Sequence, residues 1–250
     1  VTLLEGLAVA VAGMVAGSMN AAVGSGTLVS FPVLLAVGYP PVVANVSNGI
    51  GLLPGSISGA FGYRRELRGQ RARLIALGTT TAVGALAGAF LLLVLPPDAF
   101  EAIVPVLILI AVVLVALQPW IQRRLAHRRD RPAHGGPWLL LGVLLTGVYG
   151  GYFGASQGVI LLALMGMALP EHLQRLNAVK NVTTGIAYLV SGIVFVFVAD
   201  VAWIAVLLLA AGATIGGQLG ARYGRRLRPV YLRALIVVVG LAAIVQLVFD

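Results

Sequence analysis

Long apolar stretches alternate with short charged ones along the whole chain. Residues 82–96, 103–117, 139–148 and 201–213 contain no charged side chain, and such runs recur from end to end, which excludes a single anchor on a soluble domain. Polar positions gather between them: 15 of the 17 basic residues fall in three clusters, 64–73, 123–131 and 222–233. A crossing helix needs about 20 residues. Residues 74–95 and 99–121 therefore predict one excursion across a bilayer and back, turning at Pro96 and Pro97, and 173–198, 201–221 and 229–249 predict three further crossings.

The charge pattern orients these segments. The preference of cytoplasmic loops for Lys and Arg places all three basic clusters inside. Asp98, Glu101 and Asp200 fall at the opposite turns, and Glu5 and Asp250 at the ends, which places both termini outside the cytoplasm. Residues 138–169 must then begin and finish on the same side, because His134 precedes them and Arg175 follows. Their length suits a helical hairpin better than two full spans, with a bend inside the membrane at Gly154-Ala155-Ser156-Gln157-Gly158. Residues 3–37 have the same form and bend at Gly24-Ser25-Gly26.

The two hairpins also share letters. Ala16-Gly17 and Gly24-Ser25 align with Thr146-Gly147 and Gly154-Ala155 at a constant offset of 130, as does Pro40 with Pro170; after a short insertion Ala44 and Asn48 align with Asn177 and Asn181. This predicts two repeats, 1–122 and 138–250, joined by the basic linker 123–137. Each holds a re-entrant or broken hairpin plus three transmembrane helices, and that odd number of crossings inverts the second repeat relative to the first. The expected fold is an all-α polytopic membrane protein of eight to ten helices. If each hairpin were instead one tilted span, the halves would be parallel and the helices eight.

Composition narrows the function. The chain is 60% hydrophobic and 10% charged, far from the roughly 25% charged residues of soluble domains. Its net charge of +9 resides in loops between apolar helices and not along a groove, so nucleic acid is not an expected partner. No cysteine is present, and His127, His134 and His172 lack metal-ligand spacing, so no metal or other cofactor is expected. Residues 1–30 contain no Lys or Arg and carry Glu5, which reads as mature structure and not as a signal peptide. No P-loop, zinc-binding HExxH or GxSxG elbow is present, and nothing argues for an enzyme.

The candidate chemistry lies at the hairpin bends. A returning half-helix offers bare amides at its positive end, where an anion is stabilised, and Gly26 and Gly158 are the natural amide donors. Gly24 and Gly154 allow the turns, while Ser25, Thr27, Ser156 and Gln157 supply side-chain donors. Gly150 stands in the second hairpin where the first has Asn20, and Gln157 is extra, so the two site halves are unequal. The competing reading is that these small residues only let helices approach. Lys180 is the only lysine. It sits about two turns into an apolar helix, and a charge at the centre of such a helix costs on the order of 3 kcal/mol. Either it serves function, or its stem snorkels to the surface. Asn177, Asn181 and Thr184 continue a polar stripe beside it, matched in the first half by Asn45, Ser47 and Asn48.

None of the eight carboxylates sits mid-span, which favours an anion over a cation and leaves Lys180, or His172 with Glu171, as coupling groups, if coupling exists. Trp120, Trp138, Trp203, Tyr63 and Tyr223 read as interfacial anchors. Gly84, Gly88, Gly212, Gly216, Gly217 and Gly220 form small-residue faces for helix contact or homo-oligomerisation. An anion channel and a non-transporting membrane scaffold or assembly factor are the alternatives to a carrier.

Taken together, Gly17, Gly24-Ser25-Gly26, Pro32 to Leu35, Gly38 to Ala44, Tyr63-Arg64-Arg65, Leu176 to Asn181, Gly216 to Arg222 and Leu232-Arg233 resemble the sulfite exporter TauE/SafE family, within the toluene sulfonate uptake permease superfamily. The resemblance covers almost the whole chain. It implies transport, usually export, of sulfite, sulfonates or related sulfur-containing anions across a bacterial inner membrane. Read from the bends and the polar stripes, the expected substrate site comprises Asn20, Gly24, Ser25, Gly26, Thr27 and Asn48 with Gly154, Ser156, Gln157, Gly158, Asn177, Lys180 and Asn181.

Overall fold

A computed structural model describes residues 2–126 and 136–224 together with Val238, Leu241 and Ile244. Apart from those three residues the predicted crossing at 229–249 lies outside the described residues, as do Asp250, His127, His134 and most of the linker. The described part is all helix: α1 (Leu3–Ala22), α2 (Thr27–Ala36), α3 (Pro41–Gly62), α4 (Arg71–Val94), α5 (Pro97–Ala126), α6 (Gly136–Tyr152), α7 (Gln157–Ala168), α8 (Leu173–Val198) and α9 (Trp203–Tyr223). Among these, α1, α4, α5, α8 and α9 are long and apolar enough to cross a membrane. Helix α3 has the length but carries Asn45, Ser47, Asn48, Ser56 and Ser58.

The outer surface is unlike that of a soluble protein. Leu3, Trp138 and Phe197 are each more than 80% exposed, whereas Asn20, Ser25, Gln157, Lys180 and Asn181 are buried within a largely apolar core. An apolar rim with polar side chains withdrawn inside suits a lipid solvent. The chain is a multi-pass membrane protein.

Both predicted bends are present. Helix α1 stops at Ala22 and α2 starts at Thr27; α6 stops at Tyr152 and α7 starts at Gln157. The turns are nearly superimposable in their bonding. Gly24 N–H donates to Met19 O at 2.9 Å and Gly154 N–H to Tyr149 O at 2.9 Å; Val29 to Gly26 and Val159 to Ser156 repeat at 2.9 Å. Gly24 and Gly154 both take positive φ, 94° and 75°, the left-handed region where a side chain is strained and glycine is not. The arms are uneven, 20 and 10 residues in the first hairpin and 17 and 12 in the second.

Helix directions follow from the close approaches. Gly13 lies against Leu209, Gly17 against Ala213 and Ser18 against Gly220, so α1 and α9 run the same way. Gly51 and Gly62 of α3 meet Leu209 and Ala221 in the same sense. A second group forms where Gly84 meets Gly147 and Gly88 meets Tyr152, making α4 and α6 parallel. The two groups join along α3 and α8, which run oppositely: Gly59 lies beside Asn181, and Ser56 beside Gly185.

Small residues allow backbone contact, and that contact is reinforced by hydrogen bonds across the helices, such as Ser18 Oγ to Gly216 O at 3.0 Å and Ser58 Oγ to Thr214 O at 2.7 Å. The faces of Gly84, Gly88, Gly212, Gly216, Gly217 and Gly220 are thus filled within the chain. Their expected alternative use, between copies, is not available to them.

The first basic loop is clasped to the start of α8. Arg73 and Arg175 both bind Glu171, at 3.1 and 2.7 Å, while Gln70 Nε2 donates to Arg175 O at 3.2 Å and Arg175 to Arg68 O at 3.3 Å. Burial alone raises the Glu171 carboxyl, but the hydrogen bonds and charges of Arg73 and Arg175 outweigh it and hold its pKa below the ordinary value. A depressed folded value stabilises above the unfolded value, about 4.3 for glutamate, and that stability is lost as pH falls through the folded value. Glu171→Gln should therefore lower the unfolding temperature by a few degrees at pH 7. The gap to the parent should close in acid, as thermal unfolding across pH 3–8 would show.

Candidate functional site

The two bends meet. Gly158 N–H donates to Gly24 O at 3.1 Å, and a Cβ on Gly24 would lie 2.5 Å from Gly158 Cα, so the tips are packed backbone to backbone. The amide of Gly158, expected to face an anion, is engaged by the opposite tip. The amides of Ser25, Gly26 and Thr27 make no hydrogen bond among the described residues.

Lys180 is fully buried, so its stem does not snorkel. Its Nζ donates to Asn20 O at 2.6 Å and Ala21 O at 3.1 Å, carbonyls at the end of α1 where the helix dipole is negative. Asn177 and Asn181 donate to the same Ala21 O at 3.1 and 3.2 Å. A helix broken inside a membrane leaves carbonyls that need donors, and α8 provides them for α1. Helix α3 does the same for α6: Asn45 Nδ2 donates to Tyr152 O at 2.9 Å. Helices α3 and α8 start 132 residues apart, within one residue of the 133 read from the letters.

A second polar cluster flanks α2. Thr27 Oγ1 bonds Tyr188 OH at 3.2 Å and accepts from Asn48 Nδ2 at 3.4 Å, and Ser30 Oγ donates to Asn48 Oδ1. Asn20 Nδ2 donates to Ser56 Oγ at 3.2 Å. Several buried groups nevertheless have no partner among the described residues: Ser25 Oγ, both carboxamide atoms of Gln157, Thr184 Oγ1 and Asn177 Oδ1. Buried polar atoms are normally satisfied; Thr81 Oγ1, Gln118 Oε1, Tyr152 OH and Gln174 Oε1 are likewise unpaired, so it is the position of Ser25 and Gln157 on the two bends that makes them candidates. Among the described residues Lys180 is the one charged side chain in the buried interior.

The remaining candidates divide. Ser156, in left-handed conformation at φ 59°, turns its hydroxyl toward Ala111 O of α5 at 3.4 Å, away from the other candidates. Ser47 departs from the stripe and accepts from the Ala202 amide at 2.9 Å, capping the start of α9. Tyr63 is no interfacial anchor: it is 1% exposed and its hydroxyl accepts from Asn177 Nδ2 at 2.9 Å. Trp120, Trp138 and Trp203 are exposed as anchors would be. His172 caps the start of α8 with its side chain exposed, and Glu171 is occupied by arginines. Sequence reasoning missed Tyr188 and Ser56. Extending the stripe from Asn177, Asn181 and Thr184 by one more turn reaches Tyr188, and extending that from Asn45 and Asn48 by about two turns reaches Ser56.

A family model for the sulfite exporter TauE/SafE matches residues 9–247. The chain is similar to a Sinorhizobium protein named "Probable membrane transporter protein ORF9", 29% identical over 96% of this chain and 91% of that one. It is also similar to the "Probable membrane transporter protein YfcA" of Escherichia coli, 27% identical over 95% and 87%, and to a "Probable membrane transporter protein" of Haemophilus influenzae, 24% identical over 95% and 92%. No solved structure matches the chain.

Proposed function

Because this chain belongs to the sulfite exporter TauE/SafE family, a family of membrane transporters and not of enzymes, we propose that it is a secondary transporter exporting a small sulfur-containing anion, sulfite or an organosulfonate, across a bacterial inner membrane. The observation that carries this is the meeting of two broken hairpins in a buried, donor-rich and carboxylate-free interior. The free amides of Ser25, Gly26 and Thr27 lie at the positive end of α2. Ser25, Gln157 and Thr184 contribute unpaired side chains, and Lys180 contributes the net positive charge. A cation would find no carboxylate in such a site.

The reading of two inverted repeats, 1–122 and 138–250, draws support from the matching bonds of the two bends. It draws more from the opposite directions of α3 and α8, and of α1 and α6, which correspond under the repeat. The basic face is then cytoplasmic and the termini external. Alternating access is then a rocking of the two repeats about the site at the hairpin tips.

The test is counterflow of labelled sulfite in proteoliposomes, paired with thermal unfolding of the purified protein in sulfite, methanesulfonate, taurine and sulfate. A bound anion at 100 times its Kd stabilises by about 2.7 kcal/mol, and counterflow separates a carrier from a channel. No thermal shift with any of these anions, together with no flux, would overturn the proposal and favour a scaffold.

A further inference from the structure

The bends correspond residue by residue at an offset of 130, since the bonds of Gly24, Val29 and Ser30 recur at Gly154, Val159 and Ile160. Position 20 then matches 150, and 27 matches 157. The first hairpin has a carboxamide on its first arm and a small side chain on its second, Asn20 and Thr27. The second hairpin reverses this, with Gly150 and Gln157. The Gln157 carboxamide fills the place where a side chain at 150 would begin: a Cβ on Gly150 would be 2.5 Å from Gln157 Nε2. Each bend thus carries one buried carboxamide beside the last turn of its first arm, supplied from opposite arms.

The two differ in occupancy. Asn20 is tied to Ser56 at 3.2 Å. Gln157 is fully buried with neither carboxamide atom paired among the described residues. Folding selects against such a group, since an unpaired buried amide costs more than an apolar side chain of the same shape. A site that hydrogen-bonds a guest has reason to keep it. We infer that Gln157 is a specificity-determining substrate ligand, equivalent to Asn20 and swapped in position with Gly150. This rests on the anion-transporter reading and names which side chain of that site discriminates among guests.

Four variants of the full chain in nanodiscs test this, with sulfite and methanesulfonate as probes. Gln157→Met keeps the volume and removes the unpaired amide; its unfolding temperature should rise by a few degrees while anion binding weakens at least tenfold. A merely structural Gln157 would give the opposite thermal shift. Gln157→Thr should also weaken binding tenfold, and Gly150→Asn alone should unfold early because two carboxamides compete for one place. The double variant Gly150→Asn with Gln157→Thr rebuilds the arrangement of the first hairpin, and should recover both the unfolding temperature and binding to within threefold of the parent. Parent-like binding in Gln157→Met, or a folded double variant no better than Gln157→Thr, would overturn the inference alone. A parent that binds neither probe would overturn the ligand role together with the anion reading.

Discussion

Replacing Lys180 by Gln should reduce sulfite counterflow by at least about a hundredfold, equivalent to about 2.7 kcal/mol, while the protein still folds. Among the described residues Lys180 Nζ is the only donor to Asn20 O, at 2.6 Å, whereas Ala21 O keeps Asn177 and Asn181 after the lysine is lost. The end of α1 therefore stays anchored in the variant, but the interior loses its net positive charge. That charge matters more in a low dielectric than in water. An anion entering such an interior without it meets the desolvation cost of a lone buried ion. Flux in proteoliposomes and thermal unfolding separate the two effects: lost flux with an unfolding temperature lowered by only a few degrees is the expected pair. Flux at the parent level would remove Lys180 from the site and leave it as a cap on α1.

The largest stability effect is expected at Gly216. An added Cβ there would stand 2.8 Å from the Met14 carbonyl carbon and 2.9 Å from the Ser18 amide nitrogen. Both atoms are backbone, so no rotamer change relieves the clash. Helices α1 and α9 would have to move apart, breaking the bond from Ser18 Oγ to Gly216 O. Overpacking costs typically about 1–3 kcal/mol, and a clash with rigid backbone belongs at the upper end. Gly216→Ala should therefore lose about 3 kcal/mol and most of its monodisperse yield. Gly49→Ala provides the contrast, because its nearest neighbour would be Tyr188 Cδ1 at 3.9 Å and alanine favours helix by about 1 kcal/mol over glycine. Equal tolerance of the two substitutions would refute the tight approach of α1 to α9.

Much of this was legible in the letters. The bends at Gly24 and Gly154 were readable because segments of that length must begin and end on one side of the bilayer, and the limits of α8, Leu173–Val198, coincide with the apolar run. Lys180 stood out as a charge in an apolar helix. What hydropathy could not supply was partnership. In lipid, the outward face and the packed face are both apolar or small, so periodicity marks a face without naming the helix that covers it. Hence the pairing of α1 with α9 went unread, and the glycine faces stayed open to a second copy of the chain. Tyr63 misled for a related reason: its place next to Arg64 resembles that of an anchor, and only Asn177 turns it inward. Gln157 was legible as a donor but not as an unpaired one, because pairing is a property of three-dimensional neighbours.

The close fit of Gly13 and Gly17 to Leu209 and Ala213 has a consequence for biogenesis. Helix α1 finds its close neighbour α9 only after the seven helices between them have been made. At about 5–20 residues per second, the wait is roughly 10–40 s, during which a glycine-lined groove in α1 faces lipid or the insertion machinery. Truncation before α9 should leave a chain in which α1 never settles, and quality-control proteases would have their clearest target there, far from the cut end.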